Sequence, residues 1–264
     1  ALPFHSYEID TTAFEGAITE PLLAVPSVTI DDVAAFEAWK KSNVIAQKQA
    51  GYVAIGVKVS LGDFYTDKAR VLADLIKNYG ANELRFSLRQ NIVIRNIKEE
   101  NLAFFYQELA KLEMVTLGYD TIGDITACPG TDTCNLGIAS STGIATELER
   151  VLATEYPQYA NNTGITIKIS GCMNACGQHN MAEIGFQGMS INSGKLVAPA
   201  LQVLLGGGNL GNGQGRFADK VIKIPSRRGP EALRSILNDF EANANGQSFL
   251  NYYDAKGETY FFEL

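Results

Sequence analysis

Two short stretches of this sequence decide how the chain must fold: residues 127–137 read ACPGTDTCNLG, and residues 171–177 read GCMNACG. They contain all four cysteines, as one pair with five intervening residues and a second pair with three. Thiolates suit soft metals and iron-sulfur clusters, and no histidine stands at ligand spacing, so the pattern fits either zinc or a cubane cluster. If the four sulfurs serve one site, the fold must bring the two stretches together.

The spacing and the neighbouring glycines bear on which site this is. Structural zinc knuckles usually have about two to four intervening residues, so a pair with five favours the wider edge of a cluster. Gly130, Gly137, Gly171 and Gly177 allow the backbone to approach the sulfurs and to donate N–H groups that tune a cluster's potential. Four cysteines are too few for a disulfide scaffold, but buried thiols or disulfides without a metal remain the alternative.

Upstream of the cysteines, the hydrophobic periodicity predicts a β-α-β-β-α order, which is typical of a ferredoxin-like half-domain. The predicted elements are a helix from Asp31 or Asp32 to Gln49, a strand over 52–59, a helix from Thr66 ended by a left-handed Gly80, strands over 83–88 and 91–94, and a helix over 99–112 with Leu102, Phe105 and Leu109 inward. Residues 1–30 contain Pro3, Pro21 and Pro26 and predict an extended arm. His5 in this arm carries no evident chemistry.

Downstream, glycine-rich turns and alternating elements predict an α/β domain. The predicted elements are a helix over 135–155, strands over 165–169, 182–186, 203–205 and 221–224, a helix over 230–242 and a hairpin around 254–257. Residues 206–215 are glycine-rich but lack a terminal Gly-Lys-Ser/Thr, so we predict a flexible turn without a nucleotide. The fold class is therefore α+β, with an arm and helix at 1–46, the ferredoxin-like half-domain at 47–118 and the second domain at 119–264.

Composition excludes several functions. A net charge of -7 and a pI near 5.0 disfavour nucleic-acid binding, which normally needs a basic face. No run of 18 apolar residues and no charged start before an apolar stretch is present, so neither a membrane span nor a signal peptide is expected. We expect a soluble, cytoplasmic protein that binds neither nucleic acid nor membrane.

The cysteine motifs resemble those of the siroheme-containing nitrite and sulfite reductases, in which C-x5-C is followed farther along by C-x3-C. The resemblance extends upstream through Trp39, Asn43, residues 47–52 and the stretch ELRFSLRQN at 83–91, and it covers nearly the whole chain. Met173 departs from the family, which usually has proline there. Family members contain two tandem repeats, and this chain resembles the second one.

The resemblance implies two cofactors, a 4Fe-4S cluster and siroheme. The cluster would be bound by Cys128, Cys134, Cys172 and Cys176, and Cys176 would also bridge to the siroheme iron. Asn174 and Gln90 match positions near the macrocycle, and Arg89 beside Gln90 is a candidate partner for siroheme carboxylates.

The implied reaction is the six-electron reduction of nitrite to ammonia or of sulfite to sulfide. The substrate would be a small inorganic anion, the electron donor a ferredoxin or a flavoprotein, and the first repeat would come from the same or a separate polypeptide. An iron-sulfur electron carrier without siroheme and a non-catalytic zinc or thiol protein are the alternatives. Other basic residues are interpreted as solvated charges or ion pairs: Arg85, Arg95, Lys220, Lys223, Arg227 and Arg228. His179 is interpreted either as a proton donor or as a structural histidine.

Overall fold

A computed structural model describes residues 18–264 of the chain. The expectations for the first 17 residues, including His5, lie outside the described part. Residues 18–32 contain no helix or strand, and the Leu23 N–H donates to the Asn78 carbonyl at 2.8 Å. Val25 and Val28 pack against the first hydrophobic core. The described part of the arm therefore has no regular secondary structure and packs against the first half of the molecule.

The first half of the molecule is a four-stranded antiparallel sheet covered by helices. Its strands are β1 (Val44–Ala46), β2 (Tyr52–Val57), β3 (Leu84–Phe86) and β4 (Ile92–Lys98), in the spatial order β1-β2-β4-β3. Its helices are α1 (Val33–Asn43), α2 (Thr66–Tyr79) and α3 (Leu102–Lys111). The run from β2 to α3 has the predicted β-α-β-β-α order of a ferredoxin-like half-domain.

One apolar core holds this half together. The sheet contributes β-branched side chains such as Ile55 and Ile94, and the helices contribute Trp39, Leu72 and Phe105. The three residues of α3 expected to face inward, Leu102, Phe105 and Leu109, are all buried. Removing these side chains from water supplies most of the stability, at roughly 1.5–3 kcal/mol for each large side chain.

Two local predictions in this half are wrong. The first helix ends at Asn43 rather than near Gln49, because Val44 is extended and the stretch 44–46 pairs with 53–55 of β2. Branched side chains at Val44 and Ile45 favour that strand. Gly80 ends α2 with φ -103°, an extended conformation rather than a left-handed one.

The second half is a five-stranded mixed sheet. Its strands are β5 (Thr126–Ala127), β6 (Ile167–Ser170), β7 (Ile184–Ser193), β8 (Leu196–Leu205) and β11 (Asp219–Pro225), in the order β11-β8-β7-β6-β5, and β9 (Gly208–Gly211) pairs with β10 (Gln214–Arg216) beside it. Its helices are α4 (Ser141–Glu155), α5 (Gly229–Asn243), α6 (Phe249–Lys256) and α7 (Glu258–Glu263). The strands β5, β6 and β7 are parallel, which brings the ends of β5 and β6, each followed by a cysteine, to the same edge.

Three predictions in this half are corrected. Helix α4 begins at Ser141 rather than Asn135, because the Ser140 hydroxyl caps it by accepting the Gly143 N–H. Residues 206–215 form the β9-β10 hairpin rather than a flexible turn. The expected hairpin at 254–257 is instead the junction of α6 and α7, whose Tyr252 and Tyr260 hydroxyls donate to the buried Asp239 at 2.6 and 2.7 Å.

The two halves pack tightly against each other. A Cβ on Gly56 would lie 2.6 Å from the Tyr119 ring, so only glycine admits that ring. Lys58 crosses the boundary, donating to the Gly123 carbonyl at 2.6 Å and lying 3.8 Å from the Glu149 carboxylate. Within residues 18–264, no helix is both long and apolar enough to cross a bilayer.

Candidate cofactor site

The two cysteine loops cross at a point where backbone meets backbone. A Cβ on Gly171 would lie 2.7 Å from the Ala139 carbonyl and 2.7 Å from the Gly130 Cα, and one on Gly137 would lie 2.7 Å from the Gly130 carbonyl carbon. The N–H groups of Ile138 and Ala139 both donate to the Gly171 carbonyl, at 2.9 and 3.1 Å. The fold therefore brings residues 127–137 and 171–177 together, as a single site for the four cysteines requires.

The first cysteine of this crossing has a defined hydrogen-bonding environment. The Gly171 N–H donates to the Cys128 Sγ at 3.1 Å, as expected of a glycine beside a sulfur. The Ser141 hydroxyl donates to the Cys128 carbonyl at 2.5 Å and lies 3.5 Å from its Sγ. Because Ser141 opens α4, the positive end of that helix dipole lies beside the sulfur and favours negative charge there.

The four thiols differ in exposure. Cys172 is buried, Cys128 and Cys134 are half-buried, and Cys176 is exposed. In the part of the chain that the structure describes, no three His, Cys, Asp or Glu side chains are grouped so that they could hold one metal ion. The fold thus joins the two loops by their backbones, and within residues 18–264 these thiols do not form the ligand set of a single metal ion.

The second loop is held from below by strand β6. The Gly177 N–H donates to the buried Ser170 hydroxyl at 3.0 Å, and Ala175 and Gln178 both have a left-handed φ of 57°. The Lys168 ammonium donates to the Gln178 side-chain oxygen at 2.6 Å. These contacts fix the turn that contains Cys176. Asn174 and Met173 lie at its exposed outer surface, and the Met173 side chain is 75% exposed.

A loop of the ferredoxin-like half fastens the segment that leads to Cys128. Three consecutive residues between β3 and β4 each contact it: Arg89 pairs with Asp120 at 2.9 Å, Gln90 forms two hydrogen bonds with the Ala127 backbone, and Asn91 donates to Asp124 at 2.6 Å. Asn91 also accepts the Val59 N–H at 2.8 Å and is fully buried. Arg89 and Gln90, expected to contact siroheme, are therefore both engaged by the protein.

Burial shifts the pKa values of three ionisable side chains near this loop. Burial raises the pKa of the Asp124 carboxyl and of the Glu149 carboxyl. Burial, reinforced by the nearby positive charge of Arg89, lowers the pKa of Lys168. The Arg89 guanidinium is thus close enough to Lys168 to lower its pKa, and its own ion-pair partner is Asp120 at 2.9 Å.

The other candidates occupy ordinary positions. His179 is buried, its pKa is lowered by that burial, and its Nδ1 has no hydrogen-bond partner in the described part of the chain. Arg85 and Arg95 both pair with Glu83, at 2.7 and 3.0 Å, and Arg228 pairs with Glu231 at 2.7 Å. These pairs agree with the interpretation of the three arginines as members of ion pairs.

Three residues of this site were not predicted from the sequence, namely Lys168, Ser141 and Asn91. Lys168 had a detectable signal, because it alternates with Ile167 and Ile169 in a predicted strand and so must face the opposite side. Ser141 and Asn91 had none. Their contacts with Cys128 and Asp124 depend on tertiary structure, since 13 and 33 residues separate the partners.

Fold and site together define a protein of the iron-sulfur redox class: a ferredoxin-like half-domain beside a mixed sheet that carries two crossing cysteine loops. Residues 45–112 match the family model described as the nitrite/sulfite reductase ferredoxin-like half domain, and residues 118–253 match the nitrite and sulphite reductase 4Fe-4S domain. The chain belongs to the nitrite and sulfite reductase family, whose cofactors are a 4Fe-4S cluster and siroheme.

Similar proteins are known from several organisms. An assimilatory ferredoxin-dependent nitrite reductase of Haloferax mediterranei is 26% identical over 223 residues, covering 83% of this chain and 38% of the relative. A chloroplastic ferredoxin–nitrite reductase of Betula pendula is 28% identical, covering 75% of this chain and 35% of the relative. The chain therefore spans less than two fifths of the length of these two relatives.

Solved structures agree with the fold. The Mycobacterium tuberculosis NirA protein superposes with a TM-score of 0.68 at 25% identity, covering 93% of this chain and 43% of that one. Dissimilatory sulfite reductase I gives a TM-score of 0.64 at 10% identity, covering 80% of this chain and 68% of that one, and so shares the fold.

The residues present suit a thiolate-bound cluster. The donor set consists of four cysteines on two touching loops, and one of the sulfurs already accepts a main-chain N–H, as cluster sulfurs commonly do. The glycine crossing leaves no Cβ atoms between the loops.

Proposed function

We propose that this chain is the cofactor-bearing half of a nitrite or sulfite reductase, an oxidoreductase that carries out six-electron reduction of a small inorganic anion. The observation that supports this most directly is the crossing of the two cysteine loops, with the Gly171 N–H on the Cys128 sulfur, in a chain of this family.

In this proposal Cys128, Cys134, Cys172 and Cys176 would hold the 4Fe-4S cluster, and Cys176 would also hold the siroheme iron. The glycine crossing supports this proposal, because it fixes the backbones of the two cysteine loops at contact distance. The exposure of Cys176 suits a sulfur that serves two groups.

We propose that siroheme lies over the second loop, against Asn174 and near Gln90 and Arg89. A siroheme carboxylate would then replace Asp120 as the partner of the Arg89 guanidinium. The planar guanidinium can donate two parallel hydrogen bonds to one carboxylate. Exposed apolar side chains close to the cysteines, Leu136 at 66% and Met173 at 75%, would be covered in the loaded protein.

When bound, the cluster and siroheme would supply one-electron delivery and a binding position for the anion. This chain's own residues would tune that chemistry. The Gly171 N–H and the start of α4 stabilise negative charge on the Cys128 sulfur. Lys168, which donates to Gln178 just beyond Cys176, would contribute positive charge that attracts an anion to this face.

We further propose that a first repeat, on the same or another polypeptide, completes the active site, and that a ferredoxin or a flavoprotein donates the electrons. Two of the relatives reported above are ferredoxin-dependent by name, which favours ferredoxin. We propose that the boundary between the predicted domains at 47–118 and 119–264 lies near residue 118, since the two hydrophobic cores comprise residues 39–114 and 122–261. The first core includes Trp39, so α1 and β1 belong with the ferredoxin-like half although they precede residue 47.

The test is the composition and optical spectrum of anaerobically isolated protein. We expect about five iron per chain, four in the cluster and one in the siroheme, with about four sulfide, intense siroheme bands, and loss of iron in Cys134→Ser. A matched Ser190→Ala variant, which changes an exposed side chain and removes no thiol, should retain the iron. Iron and sulfide without siroheme bands would instead indicate an electron carrier. One zinc without iron would indicate a structural thiol site and would refute the proposal.

A further inference from the structure

The edge of the five-stranded sheet has an unusual partner. Strand β5 is the last strand of that sheet and pairs with β6 on one side. On its other side lies the Gln90 side chain, from the loop between β3 and β4. The Gln90 Nε2 donates to the Ala127 carbonyl at 2.9 Å, and the Ala127 N–H donates to the Gln90 Oε1 at 3.0 Å. One side-chain amide thus pairs both polar groups of a residue, as a neighbouring strand would.

The Gln90 side chain is held in this position from several directions. Gln90 has a left-handed φ of 66°, and its N–H donates to the Ser87 carbonyl at 3.1 Å. The Ser87 hydroxyl accepts the N–H groups of Arg89 and Asn91, both at 3.2 Å. Gly62 closes the remaining side, where a Cβ would lie 3.2 Å from the Gln90 Nε2. A non-glycine residue in this conformation persists only where its surroundings fix it.

Ala127 is the residue immediately before Cys128. The Cys128 N–H donates to the Ile169 carbonyl of β6 at 3.2 Å, while the Ala127 groups point the other way, to Gln90. The backbone that carries the Cys128 side chain is therefore held from both sides. One side is the second domain's own sheet, and the other is a single residue of the ferredoxin-like half.

We propose that Gln90 is a positioning residue that sets the location of Cys128 and couples retention of the iron-sulfur cluster to the docking of the two halves. This inference rests on the proposed role of Cys128 as a cluster ligand. Both polar groups of the Gln90 amide are already used by Ala127, so the amide acts on the protein backbone rather than on siroheme. Loss of the amide leaves a buried donor and a buried acceptor unpaired next to a cluster ligand.

The experiment compares Gln90→Leu, Gln90→Glu and the matched control Gln107→Leu in anaerobically isolated, cofactor-loaded protein. Gln107 also donates to a backbone carbonyl, that of Thr29 at 2.6 Å, but it does so far along the chain from the cysteines. The readouts are the rate of iron removal by a ferrous chelator, the reduction potential of the cluster and the siroheme absorption bands. We expect iron removal to accelerate about tenfold or more in Gln90→Leu, with Gln107→Leu equal to wild type.

Gln90→Glu supplies a second test if Gln90→Leu fails to fold. A carboxylate can accept the Ala127 N–H but repels its carbonyl, whereas a protonated carboxyl donates and accepts as the amide does. The ratio of its iron-removal rate to that of wild type should therefore fall toward one as the pH decreases from about 7 to about 4, through the usual glutamate pKa of about 4.3.

The outcomes distinguish a failure of the proposed function from a failure of the positioning role of Gln90. Wild-type protein isolated without iron would overturn the proposed function, and this inference with it. Iron-loaded wild type whose Gln90 variants lose iron at the wild-type rate at every pH would overturn the positioning role alone. Shifted siroheme bands with an unchanged rate of iron removal would also overturn it, because they would show that the amide acts on the macrocycle.

Discussion

The main-chain N–H of Gly171 donates a hydrogen bond to the sulfur of Cys128 at 3.1 Å, although 43 positions separate the two residues. This bond links the residue before the second cysteine pair to the first residue of the first pair. It depends on the glycine crossing, because only backbone atoms fit between the loops.

A Gly171→Ala substitution should therefore damage the site. Its Cβ would stand 2.7 Å from both the Ala139 carbonyl oxygen and the Gly130 Cα, and overpacking of this kind typically costs about 1–3 kcal/mol. We expect a lower free energy of unfolding in urea and little bound iron. Gly164→Ala is the matched control, since its nearest atom is 3.6 Å away, and a Gly171→Ala protein as stable and iron-rich as this control would contradict the prediction.

Removing the Ser141 hydroxyl should destabilise the second domain. The Cys128 carbonyl would lose its donor at 2.5 Å, and a buried carbonyl without a partner costs about 1–3 kcal/mol. Denaturant unfolding of Ser141→Ala measures this loss. Thr146→Ala, on the exposed side of the same helix, should change stability by no more than about 0.5 kcal/mol. Equal effects of the two substitutions would count against the assignment.

The buried Asp124 carboxyl should make stability fall as the pH rises. Its pKa is raised above 3.8 by burial, so the folded protein holds this proton more tightly than the unfolded chain does. The resulting stabilisation is complete below pH 3.8 and is lost as the pH rises through the raised pKa. Asp124→Asn removes this titration, and its Oδ1 can still accept the Asp120 N–H.

Unfolding free energies measured across this pH range test the prediction. The wild-type value minus the Asp124→Asn value should decrease with increasing pH. The wild-type value minus the Glu149→Gln value should also decrease with increasing pH, because burial raises the pKa of Glu149 as well. A difference that grows with pH would show that the sign is wrong.

The Tyr260 hydroxyl should hold the C-terminal helix α7 on the domain. It donates to Asp239 at 2.7 Å, and Asp239 also accepts from Tyr252 and Asn243. Tyr260→Phe should cost about 1 kcal/mol, the usual net value of one hydrogen bond. Faster amide hydrogen exchange confined to Glu258–Glu263 is the expected signature, and uniform exchange across α5 and α7 would argue against a local role.

The sequence predicts the framework of this fold because its main elements carry strong local signals. The apolar faces of α2 and α3 follow the helical period, and β2 is a buried run rich in β-branched residues. Short elements gave weaker signals. Val44–Ala46 continues a helical pattern and becomes a strand only because β2 lies beside it, and α6 and α7 rest on tertiary contacts with Asp239.

The cysteine pairs could be identified from spacing, since ligand pairs are local in sequence. Their surroundings could not, because contacts such as Gln90 with Ala127 join residues 37 positions apart in different domains. Arg89 was expected to face a cofactor and is paired with Asp120, because the fold places the exposed Asp120 carboxylate beside the largely buried Arg89 guanidinium.

The crossing of Gly130, Gly137 and Gly171 also bears on how freely this protein can change. Where main chains touch directly, the separation of the loops is determined by atoms that every amino acid shares, and mutations in the surrounding apolar interior have little means of altering it. Substitutions in the hydrophobic interior that raise thermal stability should therefore leave the spacing of the two loops unchanged. The reduction potential of the redox centre should then change little.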